Sequence, residues 1–277
     1  MNEALRAEIA RFVRESPANR HPDRDAPYFD APLVGVAAAD DPLFERYREP
    51  EVVGPFHRTP GEIVPGAASV VVWVLPIAAP TRRSNRETKE RPSLDWARTR
   101  SFGEAFNIAL RKHVVGWLGE RGHAAVAPLL APDWREVSQS AVGRASTWSE
   151  RHAAYAAGLG SFSLSDGFIT AAGIAHRLGS VVTTAALPPT SAGRPQPMDH
   201  CGYFDGRCSA CIGRCPAGAI TARGHDKDRC SAYLDALKAT LAPQWETPQP
   251  GCGLCQVQVP CEGRIPPKRK GQARTTT

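Results

Sequence analysis

Leu5, Ile9, Phe12 and Val13 fall on one face of an opening helix, and a Pro- and Asp-rich connection follows from Pro17 to Pro32. The β-branched run SVVVWVL (Ser69 to Leu75) is entered through Pro65-Gly66 and closed by Pro76, which predicts a buried strand. Phe102, Phe106, Leu110, Val114 and Leu118 then recur at four-residue intervals. They predict a long helix, capped by Ser93 or Asp95 and ending near Gly119 and Gly122. A short strand at Ala124 to Val126 follows, then a second helix from the Ser146/Thr147/Ser149 cluster to Gly158, and two more strands in GFIT and GSVVTTAAL. Strands alternating with helices predict an α/β (α+β) front domain over residues 1–187. The segment PPTSAGRPQP (188–197) holds four prolines in ten residues and reads as a boundary linker. A smaller domain over 198–266 and a basic, disordered tail over 267–277 complete the expected organisation.

Composition narrows the class without naming it. The chain has 277 residues, of which 42% are hydrophobic and 22% charged, an ordinary globular balance. Its longest apolar run, Val70 to Ile77, is far short of the roughly 20 residues a bilayer span needs, so no membrane association is expected. The N-terminus alternates charge with apolar residues and carries no secretory signal, which places the chain in the cytoplasm as an expectation. The net charge of +6 dissolves once it is located: Arg264, Lys268, Arg269, Lys270 and Arg274 lie after Gly263, leaving 29 basic against 28 acidic residues upstream. A nearly neutral body does not favour nucleic acid. The tail reads either as solvated chain or as an electrostatic arm. The stretch from Arg82 to Arg91 carries five more basic residues against Glu87 and Glu90, and reads as a solvated loop or as the border of an anionic ligand.

Chemistry is concentrated in eight cysteines: Cys201, Cys208, Cys211, Cys215, Cys230, Cys252, Cys255 and Cys261. In a reducing compartment they point to a metal or redox centre rather than to disulfides. Cys208-Ser-Ala-Cys211-Ile-Gly-Arg-Cys215-Pro216 is the C-x2-C-x3-C-P end of a bacterial ferredoxin run, with Cys201 six residues ahead of Cys208. In that motif the cysteine before proline reaches the other cluster. Applied here, the rule assigns Cys201, Cys208, Cys211 and Cys261 to one [4Fe-4S] cluster, and Cys215, Cys230, Cys252 and Cys255 to a second. Two zinc sites would also use four thiolates each, but zinc knuckles usually lack the third cysteine and its proline.

These motifs, with Arg229-Cys230-Ser-Ala-Tyr233-Leu and Gly251-Cys252-Gly-Leu-Cys255-Gln, resemble epoxyqueuosine reductase and its relatives among the iron-sulfur, cobalamin-dependent reductases. Glu150-Arg-His-Ala-Ala-Tyr155-Ala-Ala-Gly158-Leu-Gly160 resembles the family's glutamate and A-G-L-G turn. The resemblance implies a two-cluster, ferredoxin-like C-terminal domain feeding electrons to a base-off cobalamin held by the front domain, and an electron donor such as a ferredoxin or flavodoxin. It makes Glu150, His152 and Tyr155 candidate catalytic acids, and Gly158 and Gly160 candidate cofactor-binding positions. Read locally, Glu150 also suits the positive end of a helix, Tyr155 suits a core, and the glycines suit a helix end. His113, His123 and His176 read as structural. The family's catalytic aspartate is replaced by Arg144, and Ser161-Phe162-Ser163 follows the A-G-L-G turn where the family has tryptophan and glycine. The expected function is an iron-sulfur oxidoreductase acting on a small molecule other than the queuosine precursor. An electron-carrier or docking protein, and a tRNA-modifying reductase of the queuosine pathway, are the alternatives.

Overall fold

The computed structural model describes residues 1–190 and 193–267. In chain order the elements are α1 (Asn2–Glu15), β1 (Leu33–Ala38), α2 (Leu43–Arg46), α3 (Pro60–Ile63), β2 (Ser69–Pro76), α4 (Ala79–Arg86) and α5 (Leu94–Gly119). They continue with β3 (Ala125–Val126), β4 (Glu136–Val137), β5 (Ala145–Ser146), α6 (Glu150–Ala156), β6 (Gly160–Phe162), β7 (Phe168–Thr170) and β8 (His176–Thr183). The cysteine region adds α7 (Ala210–Arg214), β9 (Ile220–Thr221), β10 (Gly224–His225) and α8 (Lys227–Trp245). Among the described residues no helix is long and apolar enough to cross a membrane.

A four-stranded sheet in the order β1-β2-β8-β3 organises the front of the chain, and all of its pairings are antiparallel. Every residue of β2 is buried, because helices cover both faces of the sheet. The two-residue period of a strand deals the run alternately to two layers. Val71, Trp73 and Leu75 meet Leu5, Ile9 and Val13 of α1 and Phe106, Leu110 and Val114 of α5. Val70, Val72 and Val74 meet Phe44, Tyr47, Trp148 and the alanines of α6. The mixed α/β front that the pattern predicts is therefore a three-layer arrangement.

Ser93 caps α5, its side chain accepting from the Trp96 N–H at 3.2 Å. Four of the five apolar residues predicted for this helix are buried, but Phe102 is 38% exposed. A strict four-residue spacing drifts by about 40° per step on a helix of 3.6 residues per turn, so the first and last members cannot share one face. Among the elements with no counterpart in the sequence reading are β1, α4 and α8. The basic stretch from Arg82 is in part helix α4 rather than a loop, and its Arg86 grips the buried carboxylate of Glu262 at 2.6 and 2.8 Å. The Pro-rich segment is tied down rather than free: Thr190 bonds Val36 and Ala157, and the Pro195 and Pro197 carbonyls accept from Tyr155 and Phe162. The basic tail read at 267–277 lies, beyond Pro267, outside the described residues.

Trp73 is seated by a missing side chain. It pairs with Gly179 across β2 and β8, and a Cβ at Gly179 would come within 2.5 Å of the indole. Gly179→Ala is expected to destabilise the protein by about 1–3 kcal/mol, read as a lower urea midpoint with an unchanged m-value.

Candidate functional site

Arg100, Glu104, Asn107 and Arg111 recur at helical spacing along α5 and form a polar stripe facing β8 and α6. Arg111 is 1% exposed, so its permanent charge must be met inside the protein. Its guanidinium donates to Glu104 at 2.9 Å, Glu150 at 3.2 Å and the Leu178 carbonyl at 2.9 Å. Asn107 donates to that same carbonyl at 2.8 Å and accepts from the Trp73 indole at 2.9 Å. Glu104 also binds Arg177 of β8, at 2.5 and 2.8 Å. Burial alone would raise the Glu104 carboxyl, but Arg177 and Arg111 together hold it below the usual carboxylate range. Sequence reading followed the apolar stripe of this helix and missed the polar one. The signal was present in the i, i+4, i+7, i+11 spacing of Arg100 to Arg111.

The three candidate acids of α6 do not share one site. Glu150 belongs to the Arg111 network, with Oε2 buried and unpartnered among the described residues. His152 is half-buried against Tyr47 and Phe162, with Nδ1 2.8 Å from the Ser149 hydroxyl. Burial pushes its pKa down to about 3. The Tyr155 hydroxyl donates to the Pro195 carbonyl at 3.0 Å, toward the Pro-rich segment. Gly158, at φ 72°, ends α6, and Gly160 lies in β6 against the Ile169 carbonyl. Both glycines thus have local roles. Arg144 pairs with Asp228 at 3.0 Å, and Lys227 donates to the Val142 and Arg144 carbonyls at 2.8 and 3.0 Å. These contacts hold the loop between β4 and β5 against the start of α8.

The cysteines fall into two mutually sensed groups. Burial pushes the Cys261 thiol up to about 12, and Cys201, Cys208 and Cys211 add to the rise. Cys211, pushed up to about 11 by burial, senses Cys201 and Cys208. Cys252, also raised to about 11 by burial, senses Cys230 and Cys215. Cys255 is raised by burial and then by Cys252, Cys230 and Cys215; it senses Cys211 as well, where the two groups adjoin. Four thiols of the first group, with Cys255, line a cavity of about 190 Å³ closed by Ser163, Ser165, Ile169 and Ile174. The backbone N–H of Ala219 donates to the Cys215 sulfur at 3.3 Å.

The second group rests on helix α5. Gly253 lies so close to Trp96 that a Cβ there would stand 1.9 Å from the indole, and its φ of 66° excludes most side chains as well. Asn85 donates to the Cys252 carbonyl at 3.2 Å, and Arg214 reaches the Thr88 carbonyl at 3.0 Å. On the other side, the Ile174 N–H donates to the Cys261 carbonyl at 2.8 Å.

The fold is a helix-covered antiparallel sheet carrying a cysteine-rich C-terminal region, and solved proteins share it. It is similar to epoxyqueuosine reductase from Bacillus subtilis, solved with its catalytic loop swung out of the active site: TM-score 0.52, 18% identity, 97% of this chain and 70% of that one. Epoxyqueuosine reductase bound to a modified tRNA stem loop gives 0.51, at 19% identity over 95% and 66% of the two chains. A catabolic reductive dehalogenase bound to 3-bromo-4-hydroxybenzoic acid gives 0.50, at 16% identity over 84% of this chain and 30% of that one. In sequence, the chain is 27% identical over 222 residues to epoxyqueuosine reductase from Bacillus cereus, covering 77% of this chain and 53% of that protein. No family model matches. The chain is thus similar to epoxyqueuosine reductase in sequence and fold, as its motifs predict, and spans about half the length of the curated relative.

Glu104 makes acid stability a readout of the buried network. A carboxyl held below its unfolded value of about 4.3 contributes stability that is complete above that pH and is lost as pH falls through the lowered folded value. Glu104→Gln should therefore be less stable than the native chain at neutral pH by about 1–3 kcal/mol. In thermal melts across pH, that gap should narrow below about pH 4.3.

Proposed function

We propose that this chain is an iron-sulfur reductase. In this reading Cys201, Cys208, Cys211 and Cys261 hold one [4Fe-4S] cluster, and Cys215, Cys230, Cys252 and Cys255 hold a second. The observation that carries it is the division of the eight thiols: Cys201, Cys208, Cys211 and Cys261 line one cavity, while Cys252 and Cys255 sense Cys215 and Cys230, and the two groups meet through Cys211 and Cys255. Zinc demands four sulfurs about 2.3 Å from one point. Among the described residues no three His, Cys, Asp or Glu side chains converge in that way. The first group instead stands around a cavity, as ligands to a polynuclear cluster must.

When bound, the clusters supply one-electron transfer. The chain's own contribution is to exclude water and fix the thiols: Ile169, Ile174 and Val259 make the apolar shell of the first group, while Trp96, Asn85 and Arg214 hold the loops of the second. The adjoining of the two groups gives electrons a short route toward the front of the chain. The acceptor there is a small molecule or a corrinoid. A base-off corrinoid asks for no histidine ligand, and His152 and His176 are already bonded to Ser149 and Phe168 inside the protein. Arg144, bonded to Asp228 where the family carries its catalytic aspartate, argues for a substrate other than the queuosine precursor.

Anaerobic reconstitution is expected to load about eight iron and eight sulfide per chain, with broad absorption near 400 nm. Cys201→Ser and Cys230→Ser should each remove one of the two four-iron EPR signals and leave the other. A colourless protein, or one binding stoichiometric zinc in place of iron, would sink the cluster reading. Adding hydroxocobalamin to the loaded protein tests the acceptor, since the corrinoid version requires binding and a spectral change on reduction.

A further inference from the structure

The wall of the first cysteine cavity is built in part by the front of the chain. Ser163 and Ser165 stand in the turn between β6 and β7, and both are buried there, lining the cavity with Cys201, Cys208, Cys211 and Cys261. Two other side chains with donor groups reach this wall, and each has a partner elsewhere. The Tyr203 hydroxyl donates to the Ala222 carbonyl at 3.0 Å, while Arg207 donates to the Pro267 carbonyl at 2.7 Å and pairs with Asp205.

Contacts from three elements hold the turn. Within it, the Asp166 N–H donates to the Ser163 carbonyl at 3.0 Å. Arg151 of α6 donates to the Asp166 carbonyl at 2.7 Å, and the Asp166 carboxylate meets His225 at 3.3 Å and Lys227 at 3.8 Å. A Cβ at Gly167 would come within 2.5 Å of Ile174, so the turn closes tightly on the cavity wall. A hydroxyl carried on a turn fixed in this way is placed before any ligand enters.

Two hydroxyls carry two protons to place. Ser163 Oγ lies 3.0 Å from the Gly167 carbonyl and 3.1 Å from Ser165 Oγ, so its proton has two acceptors within reach. Ser165 has one: among the described residues its hydroxyl meets no acceptor except Ser163 Oγ. If Ser163 donates to Ser165, the Ser165 proton is left to the cavity, where its neighbours are thiol sulfurs and the apolar side chains of Ile169 and Ile174. A sulfur carrying negative charge is the acceptor that such an arrangement suits.

We propose that Ser165 donates its hydroxyl proton to a sulfur of the cluster held by Cys201, Cys208, Cys211 and Cys261, with Ser163 donating to Ser165 in turn, and that this relay raises the reduction potential of that cluster. The proposal rests on the cluster reading above and adds to it the residues that set one potential. Reduction takes one electron from the electron donor and breaks no bond, and the proton stays on Ser165. The added negative charge falls partly on the sulfurs, and a hydrogen bond to a more charged acceptor is stronger. The relay therefore favours the reduced state. Ile169, Ile174 and Val259 keep its surroundings apolar, where linked hydrogen bonds polarise one another more than in water.

The test is a redox titration of the loaded full chain followed by EPR, with iron and sulfide measured on each variant first. The first cluster's signal is the one that Cys201→Ser removes. Ser165→Ala is expected to weaken its reduction about tenfold, a fall of about 59 mV in midpoint for a one-electron couple, and to leave the second cluster's midpoint where it was. Ser163→Ala should shift the same midpoint in the same direction by less, and it supplies the readout if Ser165→Ala loads poorly. Ser165→Thr keeps the hydroxyl and should restore most of the loss, which a merely structural role of the turn would not predict. Unchanged midpoints in both alanine variants, or equal shifts in both clusters, overturn the relay and leave the cluster reading standing, since both signals are still present. A native chain without two four-iron signals defeats the cluster reading, and the relay with it.

Discussion

A permanent charge with almost no solvent contact is the constraint around which the front of this protein is arranged. An arginine cannot neutralise itself by losing a proton, so the buried Arg111 obliges three elements to bring it acceptors. Helix α5 supplies Glu104, α6 supplies Glu150 and β8 supplies the Leu178 carbonyl. Asn107 then ties the same carbonyl to Trp73 at the centre of β2, so the apolar core and the polar network share a boundary residue. Buried ion pairs seldom add much net stability. Their effect here is positional: α6 and α5 lie on opposite faces of the sheet, and this network is what spans its edge between them.

The cysteine region depends on that frame. Thiolates gathered this closely repel one another once ionised, and helix α8 adds little core to hold them: Leu241 is its one buried residue. The loops are held instead by α4 and α5, through Asn85 and Trp96, and by the Arg86–Glu262 pair. A metal-rich region gains stability from its metal only as far as its ligands are already brought together. Docking on a rigid helix does part of that work beforehand. It also fixes the cysteine loops against the sheet-bearing front, which a free linker over 188–197 would not do. The bonds of Thr190, Pro195 and Pro197 to β1, α6 and β6 serve the same end.

Much of this was legible in the sequence where chemistry and periodicity coincide. The run from Ser69 to Leu75 is a buried strand because β-branched residues without polar interruption suit no exposed position. The cysteine spacing is legible because C-x2-C-x3-C-P is a short pattern that few other uses of cysteine produce. Boundaries and tertiary roles were less so. β1 reads Leu-Val-Gly-Val-Ala-Ala, too short and too weakly alternating to separate from a connection, and it is a strand because it pairs with β2. α8 has hardly any apolar face to detect. His152 and Tyr155 are candidate acids by type, but only the structure shows that one packs against Tyr47 and Phe162 and that the other's hydroxyl turns toward Pro195. Residue type limits what a side chain can do; burial and partners decide which of those things it does.

Charge shows the same distinction. Counted along the chain, the body is almost neutral, and no strong electrostatic function follows from that count. Interactions between exposed charges are screened over about 8–10 Å at moderate ionic strength, so a protein's net charge says little about the field inside a cleft. What matters there is which acids have already been committed. Glu104 is shared between Arg111 and Arg177, and Asp166 between Lys227 and His225, so each acid answers more than one cation. Arg144 completes the pattern. Its guanidinium is bonded to Asp228 at 3.0 Å, so that acid too is committed, and the pair holds the loop between β4 and β5 against the start of α8.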